Sequence, residues 1–266
     1  MNNPIGIFDS GVGGLTVLKE LRKKLPNEKF IYLGDTARVP YGNKSKDTII
    51  RYSIENTKFL LKFDIKLLVV ACNSSTATSL KSLKENFEIA IVGVIEPGAK
   101  KAVSITKNKR VGIIGTEATI KSKAYEEEIK ALDSTISIFA KACPLFVHIV
   151  EEGLLKGPIA DDIISHYLST FKDKGIDTLV LGCTHYPLLK SSINKFFEGK
   201  INIVDSAKET ADTVSALLKK LYISSDNKKP IEPDYYVTDA AERFLKVGKT
   251  ILGKHLDKVT LVKVGQ

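Results

Sequence analysis

Eight short apolar runs, each bounded by loop-forming residues, set the rhythm of the chain: IGIF at Ile5, FIYL at Phe30, LLVV at Leu67, IVGV at Ile91, VGII at Val111, ISIF at Ile136, LVL at Leu179 and INIV at Ile201. Runs this short, rich in β-branched and aromatic residues, predict strands buried on both faces. Most of the intervening segments carry a helical period instead. Between Ser45 and Phe63, the residues Ile49, Tyr52, Asn56, Phe59 and Phe63 fall near one face, and Ser45 stands where a cap belongs. A second helix is expected from Gly157-Pro158, where proline suits the first turn, to about Lys174-Gly175. Strands alternating with helices predict a doubly wound α/β fold with mostly parallel sheets.

The pattern also repeats. GIFDSGVGGLTVL from Gly6 resembles GIIGTEATIKS from Gly112, 106 residues on, and LLVVACNSSTA resembles TLVLGCTHYPL, with Cys72 and Cys183 separated by 111. Two ordered matches at nearly one spacing predict two pseudosymmetric α/β halves facing each other. The second half is expected to begin near Glu96, after IVGVIEPG, and to end near Ser206. Residues beyond it read as a helix, a DNKKP turn, a short strand at Tyr235 and a helix at Ala240, and are expected to return to the first half. The domains would then be 1–95 plus 207–266, and 96–206.

Composition removes several function classes. At 266 residues, with 43% hydrophobic and 27% charged residues, the chain has the make-up of an ordinary globular protein. No apolar stretch approaches membrane-spanning length, and a first strand at Ile5 leaves no room for a signal peptide, so a cytoplasmic protein with no membrane partner is expected. There, three cysteines predict free thiols. The net charge of +9 favours anions, but the lysines are scattered over helical faces such as KKLPNEK and KSLKEN. Without a basic arm, a nucleic-acid partner is not expected, whereas a small anionic substrate benefits from the same field.

In open α/β sheets, chemistry gathers at the carboxyl ends of strands, where VVACNSSTA places Cys72 and LVLGCTHYP places Cys183. Cys143, in KACPLFV, has no equivalent in the other half and reads as a small buried hydrophobe. Cys72, Cys183 and His185 lack the paired spacing of a structural zinc site, so no metal is expected. A disulfide switch remains open, as does a cysteine hydrolase using His185 as base, although the latter leaves one thiol unexplained. Proton transfer uses both: one thiol removes a proton from one face of a substrate carbon and the other returns one to the opposite face. Each thiolate needs a polar neighbour. Asp9 in FDSG is one candidate, with a helix cap as its alternative; His185 is another, and Glu151 in HIVEEG is a weaker one. The glycines of DSGVGG, followed by Asp35, suggest a dinucleotide fingerprint, but the third glycine position holds Thr16. We read them as a tight turn offering backbone N–H groups to a carboxylate at a helix start.

Together, IGIFDSGVGGLTVLKEL, YLGDTARVPYGNKS, VVACNSSTA, CPLFVHIVEEG and VLGCTHYPLL closely resemble the glutamate racemase family, from about Ile5 to Asp205. The resemblance implies two pseudosymmetric α/β domains with the active site in the cleft between them, a homodimer, no cofactor, and interconversion of D- and L-glutamate to supply D-glutamate for peptidoglycan. It also implies that Cys72 and Cys183 are the catalytic thiols, Cys72 facing the α-hydrogen of D-glutamate and Cys183 that of L-glutamate. Asp9 would assist the first, His185 the second, with Glu151 as a further acid. Substrate contacts would be Asp9, Ser10, Tyr41, Gly42, Asn73, Ser74, Thr116, Thr119, Thr184 and His185. This chain departs from the family pattern at Ser74, where threonine is usual, and at His148, where proline is common. A racemase of aspartate or a related acid is the alternative within the superfamily, and a basic nucleic-acid-binding or regulatory protein is the alternative outside it.

Overall fold

The computed structural model describes residues 2–253 and 256–265. All eight apolar runs are strands. The first half runs β1 (Ile5–Asp9), α1 (Leu15–Lys24), β2 (Phe30–Gly34), α2 (Lys46–Leu61), β3 (Leu67–Val70), α3 (Asn73–Asn86) and β4 (Ala90–Gly93). There follow α4 (Ile95–Ile105), β5 (Arg110–Gly115), α5 (Glu117–Ser122), α6 (Ala124–Leu132), β6 (Ser137–Ala142), α7 (Leu145–Glu151), α8 (Pro158–Lys172), β7 (Thr178–Gly182), α9 (Lys190–Phe196) and β8 (Asn202–Asp205). The chain closes with α10 (Ala207–Lys220), β9 (Asp234–Val237), α11 (Ala241–Leu252) and β10 (Thr260–Leu261).

Two sheets result, of order β10-β9-β2-β1-β3-β4 and β6-β5-β7-β8, and every pairing among the described residues is parallel. The order β2-β1-β3-β4 matches β6-β5-β7-β8, so the sequence repeat has a topological counterpart. In each sheet the chain crosses from one side of the central strand to the other, which places a switch-point crevice beside β1 and β3 in one and beside β5 and β7 in the other. After the second sheet the chain returns to the first, where β9 lies beside β2 with Tyr235 opposite Tyr32.

Helices cover both faces of the central strands, and β1, β2, β3 and β7 are buried along their whole length. The expectation of burial on both faces fails at the edges, where β6, β8 and β10 are largely exposed or half-buried because each has a neighbouring strand on one side only. On one face of the first sheet, Leu15, Leu18 and Leu21 of α1 pack with Val214 and Leu218 of α10 and Phe244 of α11. On the other, Phe59, Leu60 and Leu83 lie over Phe8, Leu68 and Val70. Phe146, Leu168 and Phe171 cover one face of the second sheet, and Ala99, Ala102 and Ile129 the other.

Local signals act as expected. Ser45 caps α2 by accepting from the Thr48 N–H at 3.3 Å. Pro158 opens α8 after Gly157, whose φ of 96° favours a residue without a Cβ. The helix expected to reach Phe63 ends at Leu61; Phe63 lies in the turn beyond and packs against Phe59 and Tyr236, with ring centroids 5.4 and 5.1 Å away. Among the described residues, no helix is long and apolar enough to cross a membrane.

Candidate active site

Both thiols emerge where parallel strands end. Cys72 follows β3 and occupies the cap position of α3, while Cys183 follows β7, with Thr184 and His185 leading into a tight turn at Tyr186–Leu189. Asp9 ends β1, and Thr116 follows β5 and caps α5 by accepting from Thr119 N–H. The carboxyl ends of the two sheets meet. The Thr184 hydroxyl donates to Asp9 Oδ1 at 3.2 Å, and the Thr16 hydroxyl to the Thr184 carbonyl at 3.3 Å. Ser74 and Thr116 hydroxyls lie 2.8 Å apart, and the Tyr125 hydroxyl donates to Asn73 Oδ1 at 2.8 Å. Glycines permit this approach: a Cβ on Gly13 would stand 2.4 Å from Thr184 Oγ1, and one on Gly42 would stand 2.5 Å from Thr116 Cβ.

The three cysteines are buried and free, so no disulfide joins Cys72 to Cys183. Cys72 has its sulfur 3.8 Å from the Ser10 hydroxyl. Burial pushes its thiol up to about 12, with Asp9 and Cys183 adding to the rise and the N–H and hydroxyl of Ser75 opposing it. Cys183 lies 3.9 Å from His185 Nδ1. His185 Nε2 in turn faces Glu151 Oε1 at 3.4 Å, in ion-pair range but not aligned as a hydrogen bond. Burial opposes the imidazolium, but contact with Cys183, Glu151 and Asp9 outweighs it and raises His185 to about 10.

The carboxylates divide. Burial raises Asp9 above the usual carboxylate value, against the pull of His185, the N–H groups of Gly11 and Gly14, and Thr184. Burial also opposes the Glu151 anion, yet His185, Arg243 and His148 hold Glu151 below its usual value. Arg243 of α11 reaches it from the first half, 3.5 Å from Glu151 and 2.9 Å from Glu152. Among the described residues there is no group of three or more His, Cys, Asp or Glu side chains placed to hold a metal ion.

Comparison with known proteins decides the family. Residues 15–214 match the Asp/Glu/hydantoin racemase family. The glutamate racemase of Geobacter metallireducens is 49% identical over 260 residues, covering 98% of this chain and 96% of that protein. This chain belongs to the glutamate racemase family. Among solved structures, a glutamate racemase isoform of Bacillus anthracis superposes with a TM-score of 0.94 at 38% identity, covering 98% of this chain and 97% of that one. The Francisella tularensis glutamate racemase, solved in complex with D-glutamate, gives a TM-score of 0.92 at 38% identity over 98% of both chains.

With the family established, the positions singled out in the sequence gather at one seam. Asp9, Ser10, Cys72, Asn73, Ser74, Thr116, Thr119, Cys183, Thr184 and His185 are all buried there, and Glu151 lies behind His185 at the end of α7. His148 sits on the exposed side of α7, which runs through it without a break. Ser74 keeps its hydroxyl at the seam, facing Thr116. Tyr41 packs against Cys72, but its hydroxyl donates to Asp35 and accepts from Asn56, while Gly42 lies against the Thr116 side chain. Cys143 is buried among apolar side chains, and burial raises its thiol to about 12.

The glycine turn differs from the expectation. The Gly11 N–H is donated inward to Asp9 Oδ2 at 3.0 Å, and Tyr32 donates to the Gly11 carbonyl at 2.7 Å. Asp9 is not the cap of α1, whose cap is Gly14. Arg243 and Ser75 left no signal in the sequence, and Asp35 entered it only as the acid of a dinucleotide fingerprint. Asp35 is a buried hub for Arg38, Tyr41 and Thr238; Arg243 braces Glu151; and Ser75 lies beside Cys72. Asp35 and Thr238 are 203 residues apart, a separation no local pattern bridges.

Proposed function

We propose that this chain interconverts L- and D-glutamate by two-base proton transfer, supplying D-glutamate for peptidoglycan. The observation that carries the reading is the pair of buried thiols at the ends of equivalent strands, one flanked by Asp9 and Ser10 and the other by His185 and Glu151. Cys183, beside the imidazolium, removes the α-proton of L-glutamate. The resulting carbanion is nearly planar at the α-carbon, and Cys72, whose burial favours the neutral thiol, delivers a proton to the opposite face. For D-glutamate the roles reverse, Cys72 acting as base with Asp9 at its side. Ser10, Ser74, Thr116, Thr119 and Thr184, with Asn73 and the Tyr41–Gly42 backbone, hold the substrate's carboxylates and amine by hydrogen bonds. These groups already supply binding and both proton carriers, so the reaction needs no cofactor or metal.

Entry requires the two sheet ends to part, because the site residues are buried. The moving bodies are residues 1–95 plus 207–266 against 96–206, joined where the chain crosses between them. Beside the seam lies a cavity of about 370 Å³ lined by Lys44, Lys46, Lys121, Ser45, Thr78 and Ser122. Ala118 also lines it and packs against the cluster containing Tyr41 and Cys72. Its positive charge attracts a dicarboxylate towards the Ser74–Thr116 contact. The enzyme acts in the cytoplasm as a homodimer, without a nucleic-acid partner.

Incubation of the purified chain with each enantiomer of glutamate and of aspartate, with and without a chelator and without added pyridoxal phosphate, tests the reading. Glutamate should racemise in both directions and be indifferent to the chelator. Racemisation of aspartate alone, or activity restored only by a cofactor or metal, would overturn it.

A further inference from the structure

The segment Cys72-Asn73-Ser74-Ser75 places the thiol at the cap of α3 and Ser75 at the third helical position. A residue at that position has its N–H pointed at the cap side chain, and its own side chain reaches back towards the cap. Neighbouring hydroxyls in this run have protein partners: Ser74 faces Thr116 at 2.8 Å, Thr76 donates to the Val70 carbonyl at 2.9 Å, and Thr78 donates to the Ser74 carbonyl at 2.7 Å. Ser75 is different. It is wholly buried, and among the described residues its hydroxyl has no hydrogen-bond partner. A buried hydroxyl left in this condition is destabilising unless some state of the protein satisfies it.

The group that can do so is Cys72. A thiol is a weak acceptor, and a thiolate is a strong one. We propose that the Ser75 hydroxyl is a donor reserved for the Cys72 thiolate, stabilising the base that acts on D-glutamate. This rests on the racemase reading for its role in turnover. The N–H and hydroxyl of Ser75 are the groups that lower the Cys72 thiol against burial. The other titratable groups facing the sulfur are Asp9 from β1, Cys183 beyond β7 and Tyr32 from β2, with Tyr41 packed beside it; the charges of Asp9 and Cys183 oppose ionisation. Ser75 is thus the polar neighbour of Cys72 on its own helix, as His185 is the polar neighbour of Cys183. No proton leaves the hydroxyl; it rotates its hydrogen towards sulfur as the charge forms.

The test titrates Cys72 alone, by the ultraviolet absorbance of the thiolate, in protein carrying Cys143→Ala and Cys183→Ser, with Ser75 intact, Ser75→Ala or Ser75→Thr. One charge-assisted hydrogen bond is equivalent to about one pH unit. Ser75→Ala should raise the Cys72 midpoint by about that amount without lowering the thermal midpoint, since an unsatisfied buried group has been removed. Ser75→Thr, which keeps the hydroxyl, should restore the titration. In chains with both catalytic thiols, Ser75→Ala should lower kcat for D-glutamate about tenfold and recover as pH rises. An unmoved midpoint in Ser75→Ala, an equal shift in Ser75→Thr, or failure of Ser75→Ala alone to fold would each contradict the proposal. The titration needs no turnover, so inactivity of the unaltered chain on glutamate would sink the racemase reading separately.

Discussion

Thr184 donates a hydrogen bond to Asp9 at 3.2 Å across the seam between the two sheets, joining residues 175 positions apart. The carboxylate beside one thiol is thus held by the residue that follows the other. His185 extends the linkage, since it draws on Cys183, Glu151 and Asp9 together. Neither half sets its proton inventory alone, which suits a reaction that takes a proton on one side and returns one from the other.

That proximity depends on Gly13. Its added Cβ would meet Thr184 Oγ1 at 2.4 Å and His185 Nδ1 at 2.6 Å. Gly13→Ala should leave each sheet folded but prise the seam apart, and a misplacement of about 1 Å in reacting groups costs on the order of 100-fold in rate. Racemisation assays and circular dichroism on the same preparation check this. Unchanged activity would mean that the observed approach of the halves is not needed for catalysis.

His185 should make stability depend on alkaline pH. Its folded value of about 10 exceeds the ordinary 6.5, so its contribution is complete below 6.5 and is lost as pH rises through about 10. The thermal-midpoint difference between the unaltered chain and His185→Gln should therefore shrink across that window. A difference that grows with pH would show that the imidazole is buried neutral.

Much of this was legible in the sequence for a physical reason. A strand covered on both faces must be apolar at every position, so the run from Leu67 to Val70 declares itself and also fixes where Cys72 emerges. The repeat located Cys183 in the same way. Hydrogen bonds between side chains distant in sequence leave no such trace. Arg243 and Glu151 are 92 residues apart and joined only by the fold, and Ser75 is hidden in a run of similar hydroxyls. The two-residue strand β10 is too short to carry a period.

The Tyr41 hydroxyl illustrates the difference between a site residue and its support. It serves Asp35 and Asn56, not the seam. Tyr41→Phe should cost about 1.5–3 kcal/mol of stability, the usual value of a hydrogen bond to a charged group, and leave KM for glutamate unchanged. Denaturant unfolding together with initial rates separates the two effects. A raised KM with unaltered stability would place the hydroxyl on the substrate.

The thiols should behave as one unit. Cys72→Ser and Cys183→Ser should each remove most racemisation, because an unactivated hydroxyl is a far weaker base than a thiolate. The double replacement should do little further harm. Rates for all three variants in both directions check this, and simple additivity would imply independent roles.

The most direct measurement is the position of solvent label in deuterated water during the first turnovers from each enantiomer. With one thiol for each face, deuterium should enter the inverted product while recovered substrate keeps its α-hydrogen, because the group that delivers the proton is not the one that took it. Label appearing equally early in recovered substrate and product would contradict the two-base account and require a single base that exchanges with solvent before it returns its proton.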